Sequence, residues 1–351
     1  MTNPAAPNHP DIVPAEPQHL DLLKDAFDAQ KSQRPAHYSD YLAKPALLDF
    51  HYERIAKRLQ EGTAPSWRVA FSDDRLLALW GIEPSELHAQ HFNAPCFKVN
   101  PFFCFEEDPA LLAPLCQAIA RQCQETGEGV FHTRVDSQQA SLAYCLAEAG
   151  FLPSGTSVRM VLPAAQFPKN LIDTPIAHAY DEVVVRDAAP SDSKTIEEIG
   201  KTSHSHSHFF SEMRFAPSQA QALFGEWIRR CMGGLAHRVL AAEHQERLCG
   251  FCTLLINRNL HPFIQETIGV IDFIAVDTRQ QSRGVGSALL AEALRTFQGE
   301  AGRVELRTMA DNIRAIRFYE KHGFRFLSSD QHFHYWTPTT RQHRPLLARQ
   351  R

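Results

Sequence analysis

The sequence predicts a layered α/β chain built twice from one unit. Three observations carry this. A pattern recurs at a fixed distance, strands and helices alternate through the second copy, and a strand apolar on both faces runs into a glycine-bearing turn and a helix. Val130–Phe151 reads VFHTRVDSQQASLAYCLAEAGF and Arg303–Phe324 reads RVELRTMADNIRAIRFYEKHGF, an offset of 173 residues. Each is a short strand, a polar turn, an amphipathic helix and a closing Gly-Phe. Gly150 and Gly323 suit the left-handed position after a helix, where glycine carries no Cβ penalty. The same offset maps Pro17 onto Pro190, and Trp67–Phe71 and Leu76–Trp80 fall near Arg238–Glu243 and Leu248–Ile256. The join is Leu162–Tyr180, which holds three prolines and little periodicity.

In the second copy the order is strand Glu182–Asp187, helix Ser191–Thr202, an irregular stretch to Phe215 and helix Ser218–Cys231. Strands Arg238–Glu243, Leu248–Ile256 and Thr267–Val276 follow, then helix Val285–Phe297, strand Arg303–Thr308 and helix Asn312–His322. Two short strands, Phe324–Leu327 and His332–Trp336, close it. The expected organisation is a flexible leader 1–9, domains 10–163 and 181–338 joined by a linker 164–180, and a tail 339–351.

The 351 residues allow two domains, and a net charge of -4 with acids and bases mixed argues against nucleic acid as partner. No run of eighteen apolar residues marks a membrane span, and Met1–Pro17 has no apolar signal core, so a cytoplasmic protein is expected. Eight cysteines sit in apolar segments and read as buried thiols. Cys249 and Cys252 form a CxxC on a strand, where residues three apart point to opposite faces, which argues against zinc.

Val270–Val276 (VIDFIAV) is nearly all apolar, as a strand covered on both faces should be. It leads into Gln281-Ser282-Arg283-Gly284-Val285-Gly286 and a helix rich in Ala and Leu. Amides in the first helical turn lack intrahelical partners and the helix dipole favours negative charge, so this turn is an anion site. Gly284 and Gly286 let the backbone approach the anion, and Arg279 and Arg283 add positive charge. A dinucleotide fingerprint would need a third glycine where Leu289 stands, and no Gly-Lys-Ser/Thr follows for a Walker loop. The bland alternative is a tight turn with two glycines.

Gln281–Gly286 matches the Q/R-x-x-G-x-G/A signature of the GNAT superfamily, and Asn312–Phe324 resembles its second motif, N-x-x-A-x-x-x-Y-x-x-x-G-F. The resemblance covers roughly 155 residues of the C-terminal half. It implies tandem GNAT-like domains of the α+β type, each a mixed, mostly antiparallel sheet flanked by helices. It also implies acetyl-CoA as co-substrate, with the pyrophosphate on the amides of Gln281, Ser282, Arg283, Gly284, Val285 and Gly286. The pantetheine arm would pair with the backbone of Ile274, Ala275 and Val276. Asn312 would bond that arm and Tyr319 would stand near the thioester sulfur. The phenol and thiol pKa values, about 10 and 8.5, are close enough for proton donation to the leaving sulfur. The bland alternatives are a helix N-cap for Asn312 and a packed aromatic for Tyr319 whose hydroxyl the backbone satisfies.

Asp272 interrupts the apolar strand and, by alternation, shares a face with Ile274 and Val276. It is a candidate base, ammonium-binding group or structural hydrogen-bonder. Glu266 and Asp277 are weaker candidates, and water can carry the proton. The segment Thr202–Phe215 would cover the acceptor, with His208 and Arg214 as substrate-binding candidates, Arg214 for a phosphate or as a solvated surface residue. Three alternating histidines invite a metal reading; only Glu212 stands near to complete a set, and the implied chemistry needs no metal. The run from Ser207 to Gly234 is similar to the enterobacterial dTDP-fucosamine acetyltransferase family, which implies a nucleotide-linked amino sugar as acceptor. In the first copy Leu111 and Ala113 replace the two glycines, Glu106, Glu107 and Asp108 would repel a diphosphate, and Leu146 and Gln139 stand for Tyr319 and Asn312. That copy is expected to be degenerate.

The expected function is acetyl transfer from acetyl-CoA to a primary amine of a small polar metabolite, without metal, nucleic acid or membrane. A homodimer is compatible with the sequence. Acetylation of a protein N-terminus or lysine, and a non-catalytic CoA-binding regulatory module, are the alternatives.

Overall fold

The computed structural model describes residues 10–33, 44–173, 183–203, 205–281 and 283–343. The expected leader 1–9 and most of the tail lie outside them. The chain divides into two compact units: Met1–Thr156 with Glu212–Arg214 and Ser328–Arg351, and Ser157–Ser211 with Phe215–Leu327.

In the first unit β1 (Asp11–Pro14), β2 (Arg68–Ser72), β3 (Arg75–Pro84) and β4 (Cys96–Cys104) pair antiparallel in turn. Between them come α1 (Leu20–Gln33), α2 (Lys44–Gln60) and α3 (Glu86–Phe92). After α4 (Pro109–Thr126), β5 (Val130–Asp136) joins β4 in parallel, as a helical crossover requires. The helix α5 (Ala140–Glu148) follows, and Leu112, Leu115, Ile119, Phe131 and Leu146 pack into one core. A second core under α1 and α2 gathers Leu23, Phe27, Ile55 and Trp67.

The second unit repeats the plan. Its strands β7 (Val183–Asp187), β8 (Arg238–His244), β9 (Arg247–Asn257) and β10 (Ile268–Val276) pair antiparallel in turn, and β11 (Arg303–Met309) joins β10 in parallel. Short turns apart, the helices are α6 (Lys169–Ile172), α7 (Ser193–Ser203), α8 (His208–Ser211), α9 (Pro217–Arg230), α10 (His261–Ile264), α11 (Val285–Phe297) and α12 (Ile313–Lys321). The apolar face of α11 closes one core with Leu254, Ile271 and Leu306. The opposite face of the sheet is covered by Ile196, Ile199 and Ile228, from α7 and α9, against Phe251, Phe273 and Ala275. Gly150 and Gly323 follow α5 and α12 with φ of 96° and 91°, as the repeat requires.

Each copy ends in one long strand, β6 (Leu152–Pro163) and β12 (Arg325–Trp336), and these are exchanged. The first copy's β6 pairs with β11 from Ser157 to Pro163, while the second copy's β12 pairs with β5 from Asp330 to Trp336. Each unit is therefore completed by the other copy's last strand. The two short closing strands expected from the sequence are one twelve-residue strand, β12. In the join, Phe167 and Leu171 are 7% and 9% exposed and belong to the second unit's core. Residues 174–182 lie outside the described set. The last described element is α13 (Pro338–His343).

Candidate active site

The site is built where β10 and β11 part. Their pairing ends at Ile271↔Leu306, although β10 runs on to Val276 and β11 to Met309. Beyond that point the register of β10 is recorded with β9 alone. The sheet thus opens beside the residues expected to hold the coenzyme arm.

A groove of about 310 Å3 lies along this opening, lined by Ile274, Ala275 and Val276, by Gln281, Gly284, Val285, Gly286 and Ser287, and by Asn312, Arg314, Phe318 and Tyr319. The two sequence motifs therefore meet on one surface. Gly284 precedes α11 with φ 82°, the left-handed region that favours glycine. The first backbone bond into the helix is Ala288 N–H to Gly284 O at 2.9 Å. Amides of Val285, Gly286 and Ser287 precede it and have no helical acceptor. A Cβ at Gly286 would meet only Phe318 and Val276, at 3.7 and 3.9 Å, so the protein itself leaves space there. These features fit a diphosphate. Ser282, also expected to bind the coenzyme, lies outside the described residues.

The charges differ from expectation. Arg279 is bonded to Asp277 by Nη2 at 2.8 Å and Nε at 3.1 Å, which commits its charge and holds the Asp277 carboxyl below its usual range. Arg283 is exposed. Among the described residues the cation lining the groove is Arg314, in the first turn of α12, bonded to the Gln281 side-chain oxygen. It stands inside the second motif as Asn-Ile-Arg, but no spacing rule distinguishes it from other surface arginines. The Val276 carbonyl accepts from Ser203 Oγ at 3.1 Å and Gln281 Nε2 at 3.4 Å, so both its lone pairs are engaged.

Asn312 is the N-cap of α12: Oδ1 accepts from Ala315 N–H at 3.2 Å and Nδ2 donates to Thr308 Oγ1 at 3.3 Å. It also lines the groove. Tyr319 is 6% exposed and packs edge-on against Phe324, rings 5.7 Å apart. Its hydroxyl has no hydrogen bond among the described residues. Burial, and then the neighbouring Cys252 thiol, raise its pKa well above the ordinary value.

Asp272 does not share a face with Ile274 and Val276. A bulge between Ile271 and Phe273 makes it the extra residue of β10, and this breaks the alternation. Its Oδ2 accepts from Trp227 Nε1, on α9, at 2.6 Å and from Thr253 Oγ1 at 3.5 Å. Asp272 is absent from the groove lining and turns to the α7/α9 side. Burial raises its pKa, against the lowering effect of those two bonds. Glu266 precedes β10 and is paired with Arg303 at 3.0 Å. A second bulge, at Cys249, places Cys249 and Cys252 in the same core cluster, contrary to the expected opposite faces.

Of the histidines, His204 lies outside the described residues, His206 meets Asp311 at 3.4 Å and the His208 ring lies 4.0 Å from that of Phe209. Neither His206 nor His208 lines the groove. Arg214 is no solvated surface residue: its side chain is 8% exposed, over the Trp336 ring at 5.7 Å, with Nη1 3.4 Å from Glu212 Oε1. It belongs to the first unit. In the first copy Asp108 caps α4 with Oδ1 2.9 Å from Ala110 N, while Leu146 is fully buried in the core.

Residues 203–324 match the model of the acetyltransferase (GNAT) family. The chain thus carries a domain of the GNAT superfamily. It is 26% identical over 148 residues to the spore coat polysaccharide biosynthesis protein SpsD of Bacillus subtilis, covering 42% of this chain and 48% of that one. The chain therefore spans about half the length of this relative. A GCN5-related N-acetyltransferase structure from Sphaerobacter thermophilus superposes with TM-score 0.59 at 14% identity, covering 98% of this chain and 99% of the other. A tandem GNAT protein of the clavulanic acid biosynthesis pathway gives TM-score 0.53 at 13% identity, covering 93% and 98%. These two likenesses speak to the fold.

Proposed function

We propose that the second unit transfers an acetyl group from acetyl-CoA to a primary amine of a small molecule. The observation that carries this is the helix start at Val285–Ser287, whose unpartnered amides open onto the same groove as the Tyr319 side chain. The amides of Val285 and Gly286 and the guanidinium of Arg314 bind the diphosphate, and the backbone of Ile274 and Ala275 lies along the pantetheine arm. Acetyl-CoA supplies an activated thioester. Tyr319, kept protonated by burial, donates to the departing thiolate. The amine approaches from the α7/α9 face, where Asp272 or a water takes its proton. An amino sugar is the favoured acceptor, supported by the relative named for spore coat polysaccharide biosynthesis. The first copy, whose loop position is filled by Leu111 and Ala113, binds no coenzyme and completes the scaffold.

Calorimetry with acetyl-CoA should give one equivalent bound per chain. Thiol release from acetyl-CoA with a panel of amino sugars, amino acids and peptides should then show turnover with a small amine. Tight binding without turnover on any amine would replace this reading by a CoA-binding module.

A further inference from the structure

Trp227 and Asp272 stand in a relation that the coenzyme groove does not use. Asp272 is the extra residue at the bulge of β10, immediately past the last β10–β11 pair, Ile271↔Leu306. The bulge turns its carboxylate to the face covered by α7 and α9, opposite the core packed by α11. There the Trp227 indole N–H donates to Oδ2 at 2.6 Å and the Thr253 hydroxyl lies 3.5 Å from the same oxygen. The other oxygen, Oδ1, has no hydrogen bond among the described residues.

We propose that Trp227 is a positioning residue for the acceptor amine: its N–H commits one oxygen of Asp272 to the protein and so presents the other to an ammonium group. The inference rests on the acetyltransferase reading and extends it to a cationic amine recognised across the sheet from the coenzyme groove. An indole N–H only donates, so it favours the ionised carboxylate as acceptor. Charge-assisted bonds of this length are also the strong ones. Burial works the other way and raises the Asp272 pKa. The titratable neighbours are Cys231 and Cys252, both thiols that burial, and then Asp272, push upward, Cys231 to about 12. Both thiols are neutral at physiological pH, so neither sets a negative charge beside Asp272. A purely packing role for Trp227 would need its ring but not its N–H.

The first test needs no acceptor. In intact protein with 15N-labelled tryptophan, the Trp227 indole N–H signal should move as Asp272 titrates, and that movement should vanish in Asp272→Asn. A signal indifferent to pH between 3 and 7 would overturn the proposal. The second uses glucosamine as probe amine with saturating acetyl-CoA. Trp227→Phe keeps the ring and should raise the KM for glucosamine about tenfold. It should shift the acidic limb of the kcat/KM profile to higher pH and leave the calorimetric affinity for acetyl-CoA unchanged. In an Asp272→Asn background the same substitution should have no further effect. Equal losses in both backgrounds would reduce Trp227 to a packing residue. Absence of turnover with any amine would sink the acetyltransferase reading and this inference with it, whereas turnover with an indole signal indifferent to pH would overturn this inference alone.

Discussion

Glu212 and His334, 122 residues apart in the chain, are bonded in the interior, Nδ1 donating to Oε2 at 3.0 Å. Trp336 Nε1 donates to the same oxygen at 3.0 Å and the Arg214 amide to Oε1 at 3.0 Å. The two side chains are 5% and 1% exposed. Removing the carboxylate leaves the His334 and Trp336 donors buried without that acceptor, at a cost of about 1–3 kcal/mol. Glu212→Ala should therefore lower the urea midpoint with little change in slope. An unaltered midpoint would mean that water replaces the carboxylate.

Acid should loosen the first unit in two stages. Burial alone would raise the Glu212 pKa, but bonds from His334 and Trp336 bring it down to about 2 from its ordinary 4.5. Its stabilisation is therefore complete above pH 4.5 and is lost as the pH falls toward 2. His88, whose ring lies 5.0 Å from that of His132, is lowered to about 4 by burial and then by Lys98, His334 and His91. His132 is lowered further, by burial first and His88 next. Both stay neutral in the fold, whereas the unfolded chain takes up protons below about 6.5, so stability also declines from pH 6.5 through 4. The thermal midpoint should begin to fall below pH 6.5. A flat midpoint between pH 7 and 5 would contradict the histidine part of this account.

Much of this architecture is readable from local signals, because those signals are local in cause. Gly150 and Gly323 sit at positive φ because a helix end requires it, and Gly284 does so because a turn requires it. The apolar run of β10 reports a strand buried on one face, at Phe273 and Ala275, and half-buried on the other, where Ile274 and Val276 line the groove. What fails is inference by alternation wherever a bulge inserts a residue. Asp272 and Cys249 both occupy such positions, and both point the wrong way for a period of two. The exchange of β6 and β12 is invisible to any window, since no local signal names a strand's partner. Arg214 likewise looks like a surface cation until Glu212 and Trp336 are seen beside it.

Gly286 separates folding from binding. A methyl group there meets Phe318 and Val276 at ordinary contact distances, and the position is helical. Gly286→Ala should fold with an unchanged or slightly raised melting temperature, since alanine is favoured over glycine in a helix by about 1 kcal/mol. If the coenzyme's diphosphate rests on this amide, the added carbon should weaken acetyl-CoA binding at least about tenfold by calorimetry. Undiminished affinity would move the diphosphate away from the start of α11.

Two arginines should behave differently, although both stand in or beside the sequence motifs of the second unit. Arg314 lines the groove, while Arg279 is spent on Asp277. A charge-assisted bond to phosphate contributes about 1.5–3 kcal/mol, so Arg314→Ala should cost roughly tenfold or more in acetyl-CoA affinity and flatten its salt dependence. Arg279→Ala should change affinity by no more than about twofold. The reverse order in a titration series at low salt would show that Arg279 releases Asp277 when the coenzyme arrives.

Tyr319 gives the most direct test of the chemistry. Its hydroxyl makes no hydrogen bond among the described residues, so Tyr319→Phe removes no contact that holds the fold and should leave the melting temperature nearly unchanged. The loss should fall on kcat, by about a hundredfold, with the affinity for acetyl-CoA intact. The direction of its pKa fixes the pH behaviour. Burial, and then Cys252, raise it above 10, so the phenol is protonated across the neutral range and any basic limb that it controls lies above pH 10. A kcat that falls near pH 8 equally in wild type and Tyr319→Phe would assign that limb to another group. Undiminished turnover in the variant would show that the thiolate leaves without a proton from this side chain.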